Sequence, residues 1–196
     1  LRSPLPAVQF YALVGWNIAE EISAYTASKD AGARRAVAVA YRYLNLDDKM
    51  QPLVELLSDP DEKVAMEALE TVKVIGTANS LGLLKRMLPE TQDAVFRSAI
   101  IDAFAAIGSS EVVPVVLGST KEASWKVRLS ATRALYKLAG NEALRHLEPM
   151  LNDADGAVKA AVNGIFFRET AQKQYIDNLT GLLGDLSKRT RKVAAE

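Results

Sequence analysis

His146 is the one side chain here whose ordinary pKa suits proton transfer near neutral pH, and it is the chain's single histidine. Glu142 and Glu148 stand close to it, as partners of a general base would. Its neighbours place it near the middle of a short helix, where a surface or half-buried imidazole is the ordinary outcome. Asp59, Asp61 and Glu62 supply the oxygen ligands a hard cation would take. They lack the glycine and the distal glutamate of a calcium loop, and helix capping already accounts for the aspartates. Ser3 and Ser109-Ser110 lack the context of an activated serine. There is no Gly-x-Gly-x-x-Gly and no phosphate loop. The absence of cysteine excludes disulfides, thiolate zinc sites and cysteine nucleophiles, and one histidine excludes a multi-histidine metal site within this chain. No catalytic residue, metal ligand or cofactor site is assigned, and an enzyme is not expected.

The elements that would hold such groups must fit into 196 residues, the size of one ordinary domain. A chain of this length buries roughly 70% of its unfolded surface and needs no staples. Its 49% apolar and 24% charged residues are those of a globular protein. Twenty-four basic residues balance 24 acidic ones, which argues against a dedicated nucleic-acid binder. No apolar run approaches the roughly 18 residues of a membrane span. The stretch Val8 to Ile18 is interrupted by Gln9 and Asn17 and followed by Glu20 and Glu21, so it lacks a signal-peptide layout. The start at Leu1 and the stop at Glu196 suggest a piece of a longer chain. No compartment is read from these residues beyond a soluble, cytoplasmic default.

A period near 31 organises the chain. Segments beginning at Ala33, Val64, Val95, Val127 and Val158 recur every 31 or 32 residues, with small or apolar residues at offsets 0, 4 and 8. Offset 11 adds Leu44, Ile75, Ala106 and Leu138, completing one helical stripe; Glu169 breaks it in the fifth copy. Shorter helical patterns lie between, at 53–57, 81–84, 112–117, 144–147 and 176–179. A strand is the rival reading for Val112 to Leu117; helix is preferred because the neighbouring repeats set the register and Pro114 suits a first turn. The turns at 58–61, 152–155 and 184–187 supply N-caps. Gly76, Gly108 and Gly140 fall where left-handed C-caps are wanted. Val8 to Ser28 reads as an N-terminal capping helix.

These copies resemble HEAT repeats of the short, phycobilisome-lyase-like kind. Val127, Arg128, Ala131, Ala134, Leu135, Leu138 and Gly140 match that pattern best. Elsewhere its arginine reads as replaced by Ala65, Phe96 and Lys159, and its turn aspartate is missing near Glu90 and Thr120. The resemblance implies an all-α, right-handed α-solenoid of stacked antiparallel helix pairs, a HEAT-like superhelix. The expected layout is a single domain over 1–196: a cap at 1–30, about five repeats over 31–186 and a truncated sixth at 187–196. The family is used for many kinds of binding, so the resemblance names no single activity.

In such stacks the second helix of each pair lines the concave face. With offsets 0, 4, 7, 8 and 11 facing the core, offsets 1, 5 and 9 supply the candidate landing surface. Phe96, Ile100, Phe104, Tyr136 and Phe167 form an expected apolar and aromatic centre, with Arg34, Arg42, Lys73, Arg97, Arg128, Arg133 and Lys159 as basic flanks. That combination suits a protein or peptide segment, acidic with apolar anchors, because aromatic and arginine side chains dominate interface energetics. The expected function is a non-enzymatic interaction scaffold or adaptor that holds such a segment or a neighbouring domain. The alternatives are a nucleic-acid-binding module, as in HEAT-like DNA glycosylases, and a structural or regulatory arm of a larger protein. Lys188, Arg189, Arg191 and Lys192 read as a solvated basic cluster, and self-association stays open.

Overall fold

The computed structural model describes residues 22–43, 50–76 and 78–196; most of the expected capping helix, and Leu44, lie outside these. Packing divides the chain into two compact units, Leu1–Arg86 and Met87–Glu196. Among the described residues there is no strand, and no helix is long and apolar enough to cross a membrane.

The first unit contains α1 (Ala31–Tyr43), α2 (Met50–Leu57) and α3 (Glu62–Ile75). α4 (Ala78–Glu90) runs through the junction. α1 lies along α3, and α2 packs against the same helix. The second unit contains α5 (Ala94–Ile107), α6 (Val113–Ser119), α7 (Trp125–Ala139), α8 (Leu144–Leu147), α9 (Gly156–Thr170), α10 (Lys173–Leu182) and α11 (Lys188–Ala194). Here α5, α7, α9 and α11 pack in succession, with α6 against α7 and α10 against α9. Val112 to Leu117 is helical, as its proline suggested: a 3-10 turn at Ser110–Val112 runs into α6.

Short polar residues start these helices. Asp61 accepts from the N–H groups of Lys63 and Val64, Asp93 from Phe96, Asp155 from Ala157, and Ser187 from Thr190. Each such cap contributes about 1 kcal/mol by satisfying an otherwise orphaned donor. Gly108 (φ 80°) and Gly140 (φ 53°) stop their helices at positive φ, where a side chain is strained. Gly76 departs from that expectation: its φ of −61° and ψ of 143° are extended backbone leading on toward α4.

The buried positions correct the register of the third copy by one residue. Counted from Phe96 instead of Val95, offsets 0, 4, 7 and 8 become Phe96, Ile100, Ala103 and Phe104, all buried, whereas Val95 is 43% exposed. Ala106, expected in the core stripe, is exposed for the same reason. The buried arc is also wider than the periodicity implied. Offset 5 is buried throughout, as Ala38, Leu69, Ile101, Thr132 and Asn163, because each second helix packs against a neighbouring second helix as well as its own hairpin partner.

Asn163 fixes one such contact through polar bonds. Its Nδ2 donates to the Lys159 carbonyl (2.9 Å), and its Oδ1 accepts from Asn178 Nδ2 on α10 (2.9 Å). Gly156 fixes another by lacking a side chain. A Cβ there would stand 2.7 Å from both Cγ2 and Oγ1 of the buried Thr190 on α11. Gly156→Ala is expected to destabilise the chain by about 1–3 kcal/mol through overpacking. Urea unfolding checks this, with Thr190→Ala added to restore part of the loss; an unchanged midpoint in the single variant would contradict the close contact.

Candidate partner-binding site

The arginines at offset 1 are built into the stack. Arg128 donates from Nη1 to the carbonyls of Glu122 (2.8 Å) and Ala123 (2.7 Å), closing the turn before its own helix. Its Nε and Nη2 reach Asp153, 25 residues on, at 2.7 and 2.8 Å. Arg34 repeats this, with Nη1 on the Ser28 carbonyl (2.7 Å) and Nε and Nη2 on Asp59 (2.6 and 2.9 Å). Arg97 bonds the Leu88 and Thr91 carbonyls (2.9 and 3.0 Å) and pairs with Glu122, again 25 residues on. Arg97, not Phe96, is therefore the repeat arginine of the third copy, which confirms the one-residue correction.

These contacts set the carboxylate energetics. The Arg34 hydrogen bonds outweigh burial and, with the Asp61 N–H, hold Asp59 below the usual carboxylate range. Burial pushes Asp153 up, but the bonds from Arg128 and the Asp155 N–H and the charges of Arg128 and Lys159 more than offset it, so this group is also lowered. Asp59 and Asp61, weighed above as cation ligands, are thus engaged by Arg34 and by the cap of α3. His146 is half-buried on α8 and accepts from Arg145 Nε at 3.1 Å, while Glu142 pairs with Arg145 at 3.4 Å.

The expected landing residues consequently separate. Phe96, Ile100 and Phe104 are core residues at 7%, 0% and 0% exposure, which removes them from any docking face; the shifted register turned them inward. Arg34, Arg97 and Arg128 are spent on the internal links just described. Arg42 bonds Glu67 and Thr71, and Lys73 pairs with Glu70. Lys159 is half-buried beside the Asp153 charge. Tyr136 and Phe167 remain half-buried at the surface, and Arg133 is exposed.

Tyr136 and Arg133 border a cleft of about 260 Å³ formed by α7, α9 and α11. Ala160, Ala161 and Gly164 leave its α9 wall low, and Ile165 and Val193 make it apolar. Arg168, absent from the expected set, stands at its edge with the guanidinium 6.0 Å from the Tyr136 ring centre. The Tyr136 hydroxyl donates to Glu169, and that bond, with burial and the Glu169 charge, raises the phenol's pKa despite Arg168. The Glu196 carboxylate pairs with Arg133 inside the same cleft. Arg168 sits at offset 10, beside the stripes used to place candidates, which is why spacing did not single it out. The cleft offers a low apolar wall, an aromatic face and cationic edges.

Consecutive helix pairs joined by arginine–carboxylate links define a helical-repeat protein, a class whose members bind along their helix faces. The repeat pattern of one family matches residues 19–105 and again 91–165. The chain belongs to the HEAT-repeat family. It is 27% identical over 124 residues to the phycocyanobilin lyase subunit alpha of Picosynechococcus sp. (strain ATCC 27264 / PCC 7002 / PR-6), covering 57% of this chain and 46% of that protein. The chain therefore spans under half the length of this curated relative. The crystal structure of an engineered protein is similar in fold, with a TM-score of 0.54 at 18% identity over 92% of this chain and 94% of its own.

Proposed function

We propose that this chain is a non-catalytic scaffold that holds a segment of another protein in the cleft bordered by Arg133, Tyr136 and Arg168. The observation that carries the reading is the Glu196 carboxylate seated on Arg133: an acidic side chain already occupies the cationic edge of a cleft with a low apolar wall. A partner segment with an acidic residue at that edge and an apolar one over Gly164 and Ile165 satisfies both features. Phe167 extends the surface along α9. The family's use as an interaction scaffold and the relative's description as a subunit both fit a chain that acts against another polypeptide. The internal pairing of Arg34, Arg97 and Arg128 disfavours nucleic acid, because those charges are already neutralised.

An array of short acidic and apolar peptides tests this. Tyr136→Ala with Arg168→Ala is expected to weaken the retained peptides by about tenfold or more, the scale of one interface anchor, with helicity unchanged. Retention by the double variant sinks the cleft assignment. Random-sequence DNA as a second probe, bound with affinity that falls steeply with salt, would turn the reading toward nucleic acid.

A further inference from the structure

We propose that a second cavity, between the end of α6 and the α8 segment, binds a small-molecule phosphomonoester with a compact apolar body. The cavity measures about 380 Å³, within the roughly 300–1,000 Å³ of small-ligand sites. It shares no lining residue with the cleft at Arg133 and Tyr136, so the proposal does not rest on the reading given for that cleft. Its lining residues fall between Leu117 and Asp153, and consecutive helix pairs of the second unit therefore form it. The floor is apolar: Met150 is buried, with Leu117 and Pro149 beside it. The rim carries Lys121, Arg145 and His146.

The hydrogen bonds already made around that lining select the ligand. Arg145 Nε donates to His146 Nε2 at 3.1 Å, which leaves the imidazole proton on Nδ1 as an uncommitted donor. Lys121 is exposed, and its ammonium has no partner among the described residues. Arg145 meets Glu142 at 3.4 Å, but the two side chains keep 70% and 76% exposure, so water competes for that contact and the guanidinium stays available. Asp153, the carboxylate in the lining, is held at both oxygens by Arg128 and at one of them by the Asp155 N–H as well. Thr120 donates its hydroxyl proton to the Leu117 carbonyl at 2.8 Å. The cavity thus presents donors from three side chains and no uncommitted carboxylate to repel an anion. Its two permanent cations match the charge of about −1.5 to −2 on a phosphomonoester near pH 7 more closely than the single charge of a carboxylate. The apolar floor favours an ester that carries a body to cover it over inorganic phosphate.

The probe is phenyl phosphate, titrated at fixed pH into the isotope-labelled chain while the imidazole signals are followed. The chain has one histidine, so those signals belong to His146. They are expected to shift saturably. Benzoate and inorganic phosphate should each bind about tenfold or more weakly, the first for its smaller charge and the second for its missing apolar contact. Lys121→Gln with Arg145→Gln should weaken phenyl phosphate by about tenfold or more. Both side chains are exposed, so the urea midpoint of that variant should match the parent's, which separates lost binding from lost folding. Saturable binding that the double variant loses supports the proposal. No saturable shift, or a shift that the variant keeps, overturns it. Benzoate binding as tightly as phenyl phosphate overturns the phosphomonoester class, and inorganic phosphate binding as tightly overturns the role of the apolar floor.

Discussion

Phe104→Ala is expected to lower the unfolding free energy by about 3–5 kcal/mol, the range for removing a buried ring and leaving its cavity. The ring is 0% exposed on α5, the helix that packs along α7, so the void cannot fill with solvent. That loss is a large fraction of the roughly 5–15 kcal/mol by which a domain is stable. Urea unfolding followed by helicity measures it. Phe167→Ala is the control: the ring is half-buried and should cost well under half as much. Equal, small losses at both positions would contradict the placement of Phe104. The ring's depth also changes how binding experiments are read, because a Phe104→Ala chain that fails to capture a partner would be failing to fold.

Arg128→Ala should be the next most damaging change, at about 2–3 kcal/mol. Breaking a fully buried pair costs roughly 3–5 kcal/mol; the lower figure applies because the side chains of Arg128 and Asp153 keep 14% and 8% exposure and solvent screens part of the interaction. The change leaves the Asp153 carboxylate unpaired and two turn carbonyls, those of Glu122 and Ala123, without their donor. Arg128→Lys should recover only part of this, since an ammonium cannot supply the guanidinium fork. Asp153 and Asp59 are lowered in the folded chain. The stability they contribute is therefore complete above their unfolded pKa, near 4, and drains as pH falls through the lowered folded values. Unfolding midpoints measured between neutral pH and about pH 3 should fall less steeply in Arg128→Ala than in the parent chain. Parallel acid profiles would show that the pair does not carry the linkage.

The helices were legible because the 3.6-residue apolar rhythm recurs at one period, and their starts were legible where an aspartate or serine precedes the rhythm. Register within a copy was not. Val95 and Phe96 are both apolar and both begin an acceptable stripe, so composition alone cannot choose between them. The choice is made by Arg97, whose 25-residue partner Glu122 is a glutamate where the other links use aspartate. That substitution hid the link and moved three side chains from core to surface in the reading. The width of the buried arc was likewise invisible, because Thr132 and Asn163 are polar yet sealed by a bond to the Arg128 carbonyl and by the Asn178 contact. Tyr136 stands at a periodic position, offset 9, whereas Arg168, whose guanidinium lies beside its ring, stands at offset 10 and needed knowledge of which residues face the cleft.

The 25-residue reach of the arginine links also bears on how the chain is born. At roughly 5–20 residues per second a ribosome delivers the partner carboxylate about 1–5 s after its arginine. Each arginine first finds carbonyls already made and only then the turn still to come. At Arg34, Arg97 and Arg128 a nascent helix pair can thus close in the order of translation, with one cation poised for the next arrival and not waiting on the far end of the polypeptide.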